Sequence, residues 1–424
     1  MNYASRLFLL PLFLVAACGS DTPDISPAEL RAAAGESGVG AFYEANGWHA
    51  VWSKEAERAL HQALKGRAAH GLDRVAFLPG EEGSEAEREA ALTRAALTYA
   101  SALARGFVDP GKQYEIYTVP RPEPDLAAGL AEALGAGQVG DWLAGLAPDD
   151  AEYRALSGAY LRLRSVDPDS SRALDRGTAD RARAAAVAME RRRWLTRTPP
   201  PTRIDVNIGT AMLSYFRDGA LIDRRRVVVG QPDWQTPQLQ SQFFRLVANP
   251  TWTVPKSIEE DEMANAGASY FRRNNMVRRD GWIVQLPGPE NSLGLVKFDL
   301  DNEYAIYLHD TPARALFEED LRHLSHGCIR VVDALGFARI IAADQGLSGQ
   351  WERARASRGE DLFLRLPEPF PVRLLYHPTW LDPASGEIRF APDVYGRKGP
   401  IGEQLGYDGG GDGRTVPHVR DVGP

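Results

Sequence analysis

The chain has 424 residues, of which 44% are hydrophobic and 25% charged, with a formal net charge of −8. This is ordinary globular composition, and the length suggests two or three domains. The mild acidic balance is mixed along the chain and offers no basic stripe for nucleic acid; beyond the N-terminal segment no long apolar run suits a membrane.

The N-terminus reads as a targeting segment. Residues 1–17 carry one cation, Arg6, then the apolar run Leu7–Val15, then small residues. That is the layout of a secretory signal peptide, too short for a stable membrane-spanning helix. Val15-Ala16-Ala17-Cys18 resembles a lipobox, which implies lipidation of Cys18 and a short tether over 18–25. Acyl chains anchor by burying methylenes, at about 0.8 kcal/mol each. Gly19 and Ser20 resemble the sorting pattern of Gram-negative outer-membrane lipoproteins. The expected location is the periplasm, with a lipid anchor in the outer membrane; ordinary signal cleavage near Ala17 is the other reading. Stable disulfides usually accumulate in such an oxidising compartment, yet Cys18 and Cys328 are the only cysteines. With Cys18 lipidated, Cys328 is a lone thiol, which points to chemistry.

Residues 26–197 read as a helical scaffold domain. Ser26-Pro27-Ala28-Glu29 is a helix start, with Ser at the N-cap and Pro in the first turn. Helical spacing follows over Glu55–Ala68, Ser84–Arg105, Asp125–Leu134, Asp149–Leu163 and Thr178–Trp194, separated by Gly and Pro clusters. His49, His61 and His70 are scattered and read as structural. Thr198-Pro199-Pro200-Pro201 ends this region, since a proline series prefers extended geometry.

Period-two alternation then begins. Strands are expected at Arg203–Ile208, Ala211–Phe216, Ile222–Val229, Phe243–Ala248, Trp282–Gln285, Leu295–Phe298, Ala305–His309, Leu362–Leu366 and Val372–Tyr376. Asp218-Gly219 makes a hairpin turn, and a helix is expected at Asp333–Gln345. The stretch 256–280 is charged and too long for a simple hairpin loop. Residues 399–424, with their triple glycine, read as a disordered tail.

Ser325-His326-Gly327-Cys328-Ile329-Arg330, with His309 nineteen residues before Cys328, carries the chemistry. A thiolate is the attacking form of cysteine, and a nearby imidazole both favours it and shuttles its proton. His326 is a rival base to His309. No His and Cys spacing suggests a closed metal site, and no cofactor is expected.

From about Arg203 to Lys398 the chain resembles the L,D-transpeptidase catalytic domain (YkuD type) of the long Gram-negative branch. The stretches that carry this are Val229-Gly230 with Thr236-Pro237, Asn249-Pro250-Thr251-Trp252-Thr253-Val254-Pro255, Gln285-Leu286-Pro287-Gly288-Pro289-Glu290-Asn291-Ser292-Leu293-Gly294, Tyr307-Leu308-His309-Asp310-Thr311-Pro312 and Ser325–Arg330. The helical region resembles that branch's scaffold through Val51-Trp52, His70-Gly71-Leu72 and Arg105-Gly106-Phe107-Val108-Asp109-Pro110. No stretch matches the small peptidoglycan-binding module that members often carry. The implied class is α+β: a helical scaffold, then a mainly β catalytic domain over 202–398 with a lid at about 256–280.

The resemblance implies peptidoglycan stem peptides as substrate. Cys328 would form a thioester with a tetrapeptide stem and release D-alanine, and His309 would act as base. The backbone N–H groups of Gly327 and Cys328 would hold the oxyanion. Arg330 suits a stem carboxylate, a structural ion pair being the other reading; Tyr307 would line the pocket, and Ser325 and His326 would hydrogen-bond substrate or shape the loop. Asp310 is expected on the opposite strand face from His309, and His323 on the surface. The product would be a 3→3 cross-link in the cell wall. Water, a D-amino acid or an envelope protein as acceptor, or a non-catalytic peptidoglycan-binding scaffold, are the alternatives. Covalent inhibition by carbapenems is a further implication.

Overall fold

The structure, a computed structural model, describes residues 22–36, 38–78, 83–165, 176–357 and 359–407. The signal segment and Cys18 lie outside the described residues, as do residues 408–424 of the tail.

In chain order the helices are α1 (Pro27–Ala34), α2 (Gly38–Ala45), α3 (Lys54–Lys65), α4 (Glu85–Arg105), α5 (Pro110–Gln113), α6 (Leu126–Ala136), α7 (Val139–Leu146), α8 (Ala151–Arg164), α9 (Arg176–Arg193), α10 (Lys256–Glu262), α11 (Ala268–Arg273), α12 (Ala334–Asp344), α13 (Ser348–Ala356) and α14 (Lys398–Gln404). Packing divides the chain into two compact units: 1–107 with 123–148, and 108–122 with 149–424. Helices α8 and α9 therefore belong to the unit that holds the sheet, whereas the sequence reading grouped them with the scaffold up to 197.

In the first unit, caps set the helix starts. Ser26 and Ser84 each form a full capping box, with Glu29 and Glu87 returning to the cap backbone. Helix α4 buries residues over most of its circumference, many of them small, Ala90, Ala96 and Ala100 among them. Its buried Glu89 accepts the Val51 N–H at 2.6 Å and the Tyr43 hydroxyl at 3.2 Å. Burial pushes that carboxyl above its ordinary range. Sequence reading missed α2 and α7, whose segments GVGAFYEA and VGDWLAGL are glycine-bearing and look like breaks.

In the second unit the strands are β1 (Arg203–Asn207), β2 (Met212–Arg217), β3 (Ala220–Gly230), β4 (Leu239–Ala248), β5 (Trp252–Thr253), β6 (Met276–Arg279), β7 (Trp282–Gln285), β8 (Val296–Asp301), β9 (Leu308–His309), β10 (His323–Ser325), β11 (Ile329–Val331), β12 (Leu362–Leu375), β13 (Thr379–Leu381) and β14 (Ile388–Phe390). The main sheet has the order β10-β3-β11-β9-β8-β4-β12-β1-β2, and β2 also pairs with β3, so the pairings close on themselves. Closure removes the unpaired edges that an open sheet must protect. The two strands expected at 362–366 and 372–376 are one strand, β12, with an irregularity between Arg365 and Phe370.

One face of these strands forms the core: Ile204, Val206, Leu213, Val227, Val229, Leu246, Phe298, Leu308, Ile329 and Val331, closed by Phe337, Ile341 and Trp351 of α12 and α13. Period-two alternation sends the intervening residues to the other face. A second cluster forms there from Trp252, Val254, Ile258, Met263, Met276, Ile283 and Leu293, with Tyr307 packed against it. It is built from β5, α10, α11, β6 and β7, so the insertion read as a lid at 256–280 is a small folded layer with its own core.

The tail reading needs one correction. Residues 399–407 are ordered in the described structure: α14 forms there, and Ile401, Leu405 and Tyr407 are buried, with the Tyr407 hydroxyl bonded to that of Tyr160 at 2.7 Å. Apolar residues at 401, 405 and 407 outweigh the nearby glycines.

Candidate active site

Strand register assembles the site. β11 runs parallel to β9, with Ile329 opposite Leu308 and Arg330 opposite His309. Leu308 and Ile329 face the core. His309 and Arg330 therefore share the opposite face, and the same alternation carries Tyr307 and Cys328 to it. β8 adds Lys297, which pairs with His309, and Asp299 two residues on. Two short strands, far apart in sequence, thus place a thiol, an imidazole, a phenol and a guanidinium together.

Cys328 is buried, and its thiol lies 3.6 Å from the Ala305 carbonyl oxygen. That carbonyl is placed by a turn. Asn302 Oδ1 accepts the N–H groups of Tyr304 and Ile306, both at 3.1 Å, and Ala305 adopts φ +55°. This turn is why the strand expected from Ala305 begins only at Leu308. Burial pushes the Cys328 thiol up; hydrogen bonds from Tyr307 and the charges of Lys297 and Arg330 pull the other way without cancelling it. The net effect favours the neutral thiol over the thiolate.

His309 is fully buried. Its Nδ1 lies 2.5 Å from the backbone carbonyl oxygen of Asp310, so Nδ1 carries the proton and donates to that oxygen. This leaves Nε2 as the basic nitrogen. The Asp310 carboxylate is engaged elsewhere: Oδ2 accepts the Leu295 N–H at 2.9 Å and Oδ1 meets Arg314 at 2.7 Å. Asp310 thus orients the imidazole through its main chain.

The ring of Tyr307 lies 5.7 Å from that of His309, centre to centre. Burial, then the neighbouring Cys328, holds its hydroxyl far above the ordinary phenol range, so it is a neutral donor. Lys297 Nζ sits 4.1 Å from the centre of the Tyr307 ring and 2.9 Å from Asp299 Oδ1, and Arg245 Nε donates to Asp299 Oδ2 at 2.7 Å. Tyr307, Lys297, Arg245 and Trp252 are among the residues around a cavity of about 250 Å³. Lys297 and Asp299 escaped the sequence reading. The signal was present: two charges alternate with Val296, Phe298 and Leu300 in a strand that should be half-buried.

The structure gives each residue of the motif a definite place. Ser325 is fully buried, donates to the Cys328 carbonyl at 2.6 Å and accepts the Gly327 N–H at 3.2 Å. It shapes the loop, and it occupies the N–H that was expected to meet the oxyanion. Gly327 has φ +114°, a conformation that side chains resist, so its observed contribution is the turn. Arg330 is only 1% exposed, and its charge acts on the thiol. His326 is half-buried with its ring 5.3 Å from that of Trp234. His323, expected on the surface, is buried against Tyr395, and burial lowers it to about 4.

Among the described residues no group of three or more His, Cys, Asp and Glu side chains is set to hold a metal ion.

Residues 201–346 match the family of L,D-transpeptidase catalytic domains (YkuD), and residues 37–159 match a family described as a scaffold domain. A Haemophilus influenzae protein, named provisionally as an L,D-transpeptidase, is 31% identical over 216 residues, which are 46% of this chain and 44% of that protein. The chain thus matches under half the length of this relative. Among solved structures, an L,D-transpeptidase from Mycobacterium smegmatis is 11% identical, with 41% of this chain and 58% of that one covered and a TM-score of 0.24. For the Enterococcus faecium L,D-transpeptidase C442S mutant the values are 13%, 43%, 53% and 0.23. The two family matches follow one another along the chain, and both Cys328 and His309 lie within the second: residues 201–346 match a YkuD-type L,D-transpeptidase catalytic domain, and residues 37–159, before them, match a scaffold domain.

Proposed function

We propose that this chain is a peptidoglycan L,D-transpeptidase that works by cysteine acyl transfer and forms 3→3 cross-links. The observation that carries the reading is the Arg330–His309 register, which puts Cys328, Tyr307 and His309 on one sheet face with His309 Nδ1 held by the Asp310 carbonyl. His309 Nε2 takes the Cys328 proton as Sγ attacks the carbonyl of the diaminopimelate L-centre. The tetrahedral intermediate collapses to a thioester, and the leaving D-alanine amine takes the proton from His309. The amine of a second stem then attacks the thioester, gives its proton to His309, and the thiol is restored. Tyr307 and Lys297 stabilise negative charge on sulfur. The Cys328 N–H is the oxyanion donor, since the Gly327 N–H is held by Ser325. On this reading the protein works in the periplasm, tethered by lipid at Cys18.

Protein from Gly19 onward, incubated with disaccharide-tetrapeptide beside Cys328→Ala, tests this by mass spectrometry. The expected product is a cross-linked dimer that has lost one D-alanine, formed only when the thiol is present. Tripeptide alone would replace transpeptidation with L,D-carboxypeptidase activity, and no thiol-dependent product would overturn the acyl-transfer reading. A strained β-lactam carbonyl is also an acyl donor to a thiolate, so meropenem should add once, at Cys328; labelling elsewhere would sink that expectation.

A further inference from the structure

A second cavity, of about 310 Å³, borders the loop of Cys328 from a different set of residues, Tyr114, Thr236, Gln238, Tyr376, Tyr395 and Arg397 among them. At the small end of ordinary ligand pockets, it suits a group the size of one amino acid. Thr236 joins it to the catalytic loop: its Oγ1 donates to the Gly327 carbonyl at 2.8 Å and accepts the Gly230 N–H at 2.8 Å. Gly230 is forced there, because a Cβ would sit 2.0 Å from the Trp234 carbonyl oxygen.

The lining holds donors with no protein acceptor among the described residues. Tyr114 and Gln238 are 7% and 6% exposed, and neither Tyr114 Oη nor Gln238 Nε2 has a hydrogen-bond partner. The Gln238 amide is fixed, since its Oε1 accepts the Tyr376 N–H at 3.0 Å. Native proteins rarely leave such donors unpaired, and both residues line the cavity. The Arg397 guanidinium lies over the Tyr114 ring at 4.6 Å, with its Nε on Gln235 Oε1 at 3.0 Å. Two neutral donors and a cation together suit a carboxylate. The acidic residues Glu115 and Asp233, both exposed, also line the cavity and suit an ammonium.

We propose that this cavity is a second binding site for the zwitterionic amino-acid end of a peptide stem, its carboxylate on Arg397, Gln238 and Tyr114 and its ammonium toward Glu115 and Asp233. That the zwitterion is the D-centre of a diaminopimelate stem rests on the transpeptidase reading; a free D-amino acid shares the chemistry. Titration calorimetry on the Cys328→Ala protein tests the site without turnover. Three probes serve: L-Ala-γ-D-Glu-meso-diaminopimelate, its L-lysine counterpart, which keeps the amine and lacks the second carboxylate, and D-alanine. The diaminopimelate tripeptide should bind about tenfold or more tightly than the lysine one. Tyr114→Phe should weaken it by about fivefold to tenfold while the thermal midpoint holds or rises, because the hydroxyl has no protein bond to lose. Arg397→Gln should weaken it further. Tyr114-dependent binding of D-alanine at the tripeptide's strength would support the site and make free amino acids its source. Equal binding of both tripeptides, or no effect of Tyr114→Phe, would overturn it. Tyr114-dependent binding without transpeptidation would leave the site and remove the activity, whereas transpeptidation with Tyr114-independent binding would remove the site alone.

Discussion

Around Glu190 of α9, buried charge is matched inside the protein. Oε1 accepts the Val108 N–H at 2.7 Å and the Trp194 indole N–H at 3.1 Å, Oε2 meets Arg193 at 2.5 Å, and Arg193 Nη1 donates to Tyr153 at 2.8 Å. Burial alone would lower the Arg193 guanidinium; Tyr153 and Glu190 outweigh it and hold it above its ordinary range. Around Cys328, buried polar groups of similar kinds surround a thiol that, on the proposed mechanism, loses its proton as it attacks. Lys297, Arg330 and Tyr307 each favour the thiolate, yet burial still wins. The first arrangement gains most by being static. The second is worth building only if one member changes charge during use, and a cavity of about 250 Å³ beside Tyr307 gives a substrate room to do so. Buried polarity therefore marks a functional site here only where it meets open space and an unsettled charge.

The sharpest way to break this contrast is to remove the base. His309→Gln should slow acylation of Cys328 by meropenem about 10²- to 10⁴-fold, the usual share of a positioned general base. Stopped-flow loss of β-lactam absorbance measures it. A rate within threefold of wild type would show that His309 is structural and restore His326 as the candidate.

Next in size is a stability effect confined to the static cluster. Glu190→Gln leaves the Arg193 cation buried without its carboxylate and should cost about 3–5 kcal/mol. Urea unfolding measures it, while the acylation rate per folded molecule should stay at the wild-type value. Adding Arg193→Met should recover much of the loss, because replacing both partners of a buried pair with apolar volume is often nearly neutral. Slowed acylation in folded Glu190→Gln protein would mean that the two clusters are coupled.

The sequence made half of this contrast legible. Cys328 and His309 stood out because glycine, serine and histidine flank the thiol in a recognisable motif, and period two put Tyr307 on the face of His309. The cap at Ser26 was equally local and gave its helix start correctly. Non-local partners were not visible. Nothing near Arg330 says that it is buried. The carbonyl that orients His309 belongs to the next residue, Asp310, yet its availability depends on the Asp310 side chain bonding Leu295 and Arg314. The Glu190 cluster was hidden for the same reason: its acceptor role toward Val108 spans 82 positions.

The smallest effect tests how far charge on β8 tunes the thiol. Since burial raises Cys328, the thiol is mostly protonated at neutral pH, and the thiolate fraction grows only as pH climbs above the ordinary thiol value of about 8.5. Lys297 opposes that shift, so its removal must push the thiol higher still and move the alkaline limb of the pH–rate profile further upward. Asp299, 2.9 Å from Lys297 Nζ, already offsets part of this charge, which keeps the expected change modest. Lys297→Met should therefore lower the rate of alkylation by iodoacetamide at pH 7.5 by about threefold to tenfold, with the difference narrowing as rising pH ionises both thiols. Because the same mutation leaves Asp299 with Arg245 as its remaining cation, Lys297→Met with Asp299→Asn should bring the profile part of the way back. An unchanged profile in Lys297→Met would assign the pull on the thiol to Tyr307 and Arg330 alone.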